Sequence, residues 1–545
     1  MGKLINLIQS CDELNVDSNI VKKIYNMIIN NENYNDDPII DSNSNIIGKI
    51  SLNNPTYENW ITTIRNRFPY FQFSDLSYYI RFADINVETA LVNNGFGDGT
   101  GITSTDVANN LFGTIFKDNS QIVSFDELTY FTKVNRSGFS TDAFKNCTSL
   151  ESINLNNLET FGNTGTFVNC ENLKYFNGNE SEQGTLNLPS YINSTIPNYT
   201  FNNCKCLTKI ESLGNTTEIA KYAFAGCTNL TTISQTVLNK ITNIGAFAFR
   251  DCSNLVINEL SLPNLMILEA SEGTFKNTQL RKITNLGYVS NVGCFQDSKY
   301  LTEVNLPSTC TELGRRAFYN CTALTTINLQ NIETFGDSPI SGCTSLEYFA
   351  GPNSEQGVVD LPNLKYGSFG AMNTKIREIR NIGSIKKLLN WGFIGCSLLT
   401  NIDNILEQLE EIADQTFWRC PNLIINDLNC PNLKKLGISN FPGVKVKKIS
   451  NLGTITILQR DNFQGCTVLT DVTLPSTLTQ IDGNVFNGCT ALTSVTILAP
   501  TPPILTTSAF TNTTCTIYVP SASVETYKQA DGWSTLASRI QAITT

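Results

Sequence analysis

Seventeen cysteines and no histidine limit the chemistry open to this 545-residue chain. Without imidazole there is no Ser-His or Cys-His nucleophile, no histidine base and no ordinary Cys/His zinc site. The cysteines also lack the paired spacing of a metal centre: Cys-x-x-Cys never occurs, and Cys204-Lys-Cys206 is the closest pair. Carboxylates leave two openings. The loop Asn94-Gly-Phe96-Gly-Asp98-Gly99-Thr-Gly101 follows a helical stretch, as a calcium loop would. Such a loop needs oxygen ligands at alternate positions and a bidentate glutamate at the twelfth. Counting from Asn94 puts Phe96 third and Thr105 twelfth, so Asp98 is the lone calcium candidate and a tight glycine turn is the better reading. Glu182 and Glu355 sit in matching loops but far apart in sequence. An acid–base pair must share one face, so solvated loop charges are expected there. No cofactor site and no catalytic residue emerge.

The elements that position these residues are repeats. Phe144-Lys-Asn-Cys147-Thr-Ser-Leu150 returns as Phe318-Tyr-Asn-Cys321-Thr-Ala-Leu324 and Phe486-Asn-Gly-Cys489-Thr-Ala-Leu492. Related units recur at roughly 22–26 residues, giving about 16 in all, and the ring positions include Phe201, Phe249, Ile340, Phe369 and Phe510. In Leu324-x-x-Ile327-x-Leu329, Ile327 and Leu329 alternate inward along a short strand, while Thr326 and Asn328 face out. Pro often follows and ends the strand; Ile244-Gly245 and Leu313-Gly314 are expected to turn the chain. Cysteine at one fixed place per unit then reads as a small buried apolar side chain. The segment Tyr175–Pro189 echoes Tyr348–Pro362, so a block of about seven units is duplicated and each copy carries the same bulged turn.

The remaining organisation follows. Residues 1–30 show helical spacing, 31–56 form an Asn/Asp-rich linker, and 57–120 form an aromatic docking and N-capping region. The solenoid runs over 121–510, and 511–545, with a last strand and an amphipathic helix, close its open end. A net charge of −10 with no basic cluster argues against nucleic acid. No run of 18 apolar residues suggests membrane insertion, and the first residues lack the pattern of a signal peptide.

From about residue 120 onward, the Phe-x-x-Cys-Thr-x-Leu-Thr-x-Ile-x-Leu units and the ending Ile517-Tyr-Val-Pro520…Gly532-Trp533 resemble the BspA-like leucine-rich-repeat family. The resemblance implies an α/β solenoid, with a parallel sheet on the concave face of an arc, and a surface adhesin without catalytic residues. Outward strand positions then become the binding candidates: Tyr175 and Tyr348 beside the bulges, with Glu303, Asn305, Glu378 and Arg380. Two placements are open. One is a virion appendage or tail fibre of a phage, made in the host cytoplasm. Its residues 1–80 would dock to other virion proteins while the array binds a host surface protein or glycan, as a monomer or homo-oligomer. The other is a cell-surface adhesin.

Overall fold

The computed structural model describes residues 38–40, 46–49, 80, 82–97, 102–103, 106–107 and 113–544, except 193–194, 270–272, 368–369 and 507. The expected helical segment 1–30, most of the aromatic segment 57–82, Asp98 and Phe369 lie outside the described residues. Within the Asn/Asp-rich stretch, Pro38–Ile40 pairs antiparallel with Ile46–Lys49. The repeats form a parallel-sheet, stacked-coil solenoid of about 15 turns. The chain divides into two units, residues 1–166 with 172–183, and residues 167–171 with 184–545.

The first unit is built on phenylalanine. Helix Ile85–Asn93 starts at Asp84, whose carboxylate accepts the Asn86 amide at 2.8 Å. The other oxygen of Asp84 accepts the Val123 and Ser124 amides, tying the helix start to strand Ser124–Phe125. Phe125 lies among Phe82, Phe116, Phe131 and Phe144, with centroids 5.2–6.3 Å away. Phe116 stacks flat on Phe144, at 5.2 Å and 4°, so the repeat's ring register reaches back to Phe116.

The second unit has a ring column as its spine. Phe167, Phe201, Phe224, Phe249, Phe275, Phe295 and Phe318 stack in order at 5.3–5.6 Å. Phe393 to Phe510 repeat the pattern at 5.4–5.8 Å. Between them the column holds Ile340 and then Ala371. The Ala371 amide bonds Gly392 O, and its carbonyl accepts the Cys396 thiol, as a ring residue's would. Flat phenyls one turn apart fill the coil without voids and add offset-stacking energy.

Turns carry two strands, and in places three, rather than one. The expected strand forms ladders such as Lys282–Asn285, Glu303–Val304 and Thr326–Ile327. A second parallel ladder runs through Asn291–Val292, Glu312–Leu313, Thr334–Phe335 and Tyr366–Gly367. Ile244 and Leu313, expected in turns, are therefore strand residues whose side chains point into the core. The chain turns instead at left-handed residues two places before and after most rings, such as Arg316 (φ 53°) and Asn320 (φ 58°) around Phe318. That conformation favours Asn, Asp and Gly. Here it also builds a ladder: Asn203 Nδ2 donates to Asn169 Oδ1 at 2.8 Å, and the following Gly226 (φ 74°) leaves room for it. A Cβ on Gly226 would lie 1.9 Å from Asn203 Oδ1.

The bulged turn has a structural role. In the second copy, Tyr348 and Ala350 pair back to Thr326 and Asn328, whereas Val358–Asp360 pairs forward to the strand Glu378–Asn381. The inserted loop sits where the turn changes partner. At the C-terminus the expected single helix is divided into Val524–Gln529 and the 3-10 turn Ser534–Arg539. The break, with Gly532 at φ 79°, lets Trp533 meet Phe510 at 6.2 Å and donate its indole N–H to Pro503 O at 2.7 Å. A further strand, Ile540–Ala542, then closes the sheet against Thr516–Val519.

Candidate recognition surface

The ladder thiols are core side chains. Cys147, Cys321 and Cys489 are fully buried, and all the described cysteines are free. Each ladder thiol donates to the carbonyl of the preceding turn's ring residue. Cys227 reaches Phe201 O at 3.1 Å, Cys321 reaches Phe295 O at 3.2 Å and Cys489 reaches Phe463 O at 3.1 Å. Cysteine thus fills an apolar slot and gives a second donor to a carbonyl that already accepts a backbone amide, as Phe201 O does from Cys204 N at 3.2 Å. Burial pushes the thiols of Cys227, Cys343 and Cys489 up to about 12, far from a reactive thiolate. Among the described residues, no group of three or more Cys, Asp or Glu could hold a metal. Glu182 and Glu355 are exposed on their loops.

Four of the six candidate contacts gather around the second bulge and the strands leading to it. Glu303, Thr326 and Tyr348 stand in direct register on successive strands, with Lys282 before them. Lys282 pairs with Glu303 at 3.1 Å. Tyr348 is half-buried and so keeps part of its ring available. Beyond the loop, Arg380 bonds both Glu378 and Glu355 at 3.1 Å, which raises its pKa and clamps the loop to the next strand. The loop's other side is held by Glu347, which accepts from Lys375 and from Gln356 and is kept below the usual carboxylate range by these bonds. Glu378, Arg380 and Tyr348 therefore flank one loop whose charged groups are held in ion pairs, with Arg380 shared by two carboxylates. Asn305 lies on the same strip, its amide 3.4 Å from Thr284 O.

Tyr175 belongs to the first unit. It pairs with Ser152, and Lys174 lies 5.7 Å from its ring centre. Ser152, in the outward position that corresponds to Thr326, is 3 % exposed, and its hydroxyl donates to Asp126 at 2.5 Å. Thr326 is likewise covered, at 7 %. Outward-pointing short side chains on a parallel ladder are roofed by longer neighbours, which alternation alone does not reveal.

Sequence reasoning passed over another set. Tyr199, Tyr222 and Phe247 occupy the left-handed position before the ring on three consecutive turns, stacked at 4.9 and 4.7 Å. The signal was present as an aromatic-x-Phe spacing: Tyr199-x-Phe201, Tyr222-x-Phe224 and Phe247-x-Phe249.

The BspA type leucine rich repeat region, in six copies, matches segments running from residue 120 to residue 517. The chain belongs to this family. The BspA-type array is similar in fold to a leucine-rich repeat protein of Bacteroides ovatus, at 17 % identity over 78 % of this chain and 88 % of that one, with a TM-score of 0.42. A leucine rich cell surface protein of Faecalibacterium prausnitzii matches at 19 % identity over 61 % of this chain and 78 % of that one, TM-score 0.29. A leucine-rich repeat protein of Eubacterium ventriosum matches at 18 % over 56 % and 82 %, TM-score 0.31. No curated protein matches the chain. Among the described residues, no helix is long and apolar enough to cross a membrane.

Proposed function

We propose that this BspA-type chain is a non-enzymatic recognition protein that binds a macromolecule through the surface of its repeat array. One observation carries the reading: rings and thiols of successive turns are spent on the interior, so variation from turn to turn is left to the outward positions. Tyr348, Glu303, Asn305, Glu378 and Arg380, with Tyr175 in the first unit, are the proposed contacts. Residues 121–510 display the array, 511–545 close it, and 1–80 dock it to a larger assembly.

For that assembly we favour a virion appendage of tail-fibre type, with a host surface protein or glycan as the array's target. The support is that family matching starts at residue 120, leaving the first segment free for a different task. A cell-surface adhesin is the second reading, favoured by family membership itself. Labelled full-length protein should bind intact host cells, and Tyr348→Ala together with Arg380→Ala should weaken that binding. Immunogold labelling separates the placements, since gold on particles supports the first and gold on cell envelopes the second. Absence of binding to any cell or particle surface contradicts both.

A further inference from the structure

The ridge formed by Tyr199, Tyr222 and Phe247 has features that core packing does not require. Its residues are held at φ 59°, 55° and 59°, a region that bulky side chains rarely adopt. Other turns fill this place with residues such as Ser338, Gln415, Ser439 and Asp461. Tyr199 is 39 % exposed, and Tyr222 and Phe247 are half-buried. The second copy repeats the choice. Trp391, two places before Phe393 as Tyr222 is before Phe224, has φ 61° and is 55 % exposed. Its indole N–H donates to Gln415 Oε1 at 2.8 Å, which fixes the ring's orientation. The backbone behind the ridge is fixed as well: Tyr199 N bonds Lys221 O, Tyr222 N bonds Ala246 O, and Lys221 N bonds Asn198 Oδ1, each at 3.0 Å.

Cations and carboxylates both flank the ridge, since exposed Glu269 accepts the Ala246 amide at 2.6 Å. Stacking covers ring faces and leaves ring edges outward, and the edge is the positive end of the aromatic quadrupole. Lys221 lies 5.5 Å from the Tyr222 ring centre and Arg250 lies 5.5 Å from that of Phe247. Arg250 is partly neutralised by Asp251 at 3.1 Å, whereas exposed Lys221 forms no ion pair among the described residues. This is a local cation on a chain of net charge −10.

We infer that the aromatic ridge Tyr199–Tyr222–Phe247, with Lys221, is a binding site for an acidic polysaccharide. This rests on the reading of the array as a recognition surface and names one ligand class for it. A peptide would need a free strand edge or a side-chain pocket, and the Tyr199 and Tyr222 amides are already bonded within the array. A hydroxyl-rich chain suits it better: sugar oxygens meet the positive ring edges, sugar hydroxyls meet the two phenols, and a carboxylate meets Lys221.

The test titrates full-length protein calorimetrically with hyaluronan and with polygalacturonate oligosaccharides, using dextran and poly-glutamate as comparators. At least one acidic glycan should bind, and added salt should weaken it. Tyr222→Asn should weaken it about tenfold and Lys221→Gln by a smaller factor. Asn tolerates the left-handed backbone while giving up two ring stacks, so Tyr222→Asn should lower the melting temperature modestly and still unfold cooperatively, a check that separates lost contacts from lost fold. No binding of either glycan, or unchanged binding by both variants, overturns the inference. Poly-glutamate binding as tightly overturns the glycan class, and dextran binding as tightly overturns the role of charge. If wild-type and Tyr222→Asn proteins bind host cells equally, the ridge proposal fails while the recognition reading stands.

Discussion

Replacing Phe249 by alanine probes the ring column at its most regular point. Phe249 is fully buried and lies flat between Phe224, at 5.5 Å and 2°, and Phe275, at 5.5 Å and 16°. Phe→Ala in a close-packed core costs about 3–5 kcal/mol. Losing two stacked partners, each worth about 0.5–1.5 kcal/mol beyond area burial, places this site in the upper half of that range. Stacked repeats couple chiefly to nearest neighbours, so the damage should be local. Urea unfolding gives the total, and amide hydrogen exchange gives its location. The amides of Phe224 and Phe249, bonded to Ala248 O and Thr274 O, should lose protection, while those of Phe463 and Phe486 keep theirs. A loss below about 1 kcal/mol, the level of an ordinary surface substitution, would refute the stacking argument. Uniform loss of protection along the chain would refute nearest-neighbour coupling.

Two further outcomes are expected. Gly226→Ala forces a Cβ against Asn203 Oδ1 and strains φ 74°; it should cost about 1–3 kcal/mol, measured by urea unfolding, and no change would mean the asparagine ladder is slack. Glu410, bonded by Lys386 and Lys434 at 2.8 and 2.7 Å, has its pKa pulled down to about 2 by these bonds. Its folded-state pKa lies below the ordinary value of about 4.3. Its stabilising contribution is therefore present above that value and lost as pH falls through about 2. The stability gap between wild-type and Glu410→Gln proteins should be small, shrink with salt and close on acidification; a gap independent of pH contradicts the pairing.

Much of the array was legible because the repeat spells out its interior. The fixed distance from Phe144 to Cys147, or Phe486 to Cys489, places both side chains inside the coil without any structure. The second strand ladder was not legible, since two residues such as Glu312–Leu313 carry too little alternation to tell strand from turn. Ala371 as the occupant of the ring column was hidden by Phe369, a better match to the repeat two residues earlier. The division of the terminal helix depended on Trp533 seeking the end of the ring column, a tertiary demand that overrides helical spacing. Of the proposed recognition surface, the cluster of Tyr348, Glu378 and Arg380 around one loop follows from repeat register. The ion pairs that neutralise it depend on side-chain reach across turns.

Thiol accessibility on the native protein tests the sealed interior most directly. Cysteine alkylation at pH 8, read residue by residue by mass spectrometry, should modify half-exposed Cys206 before the other cysteines of the array and leave Cys147, Cys321 and Cys489 untouched until the array unfolds. Rapid modification of those three in folded protein, or a metal ion released from them by a chelator, would contradict an array whose outer surface alone is free to recognise a partner.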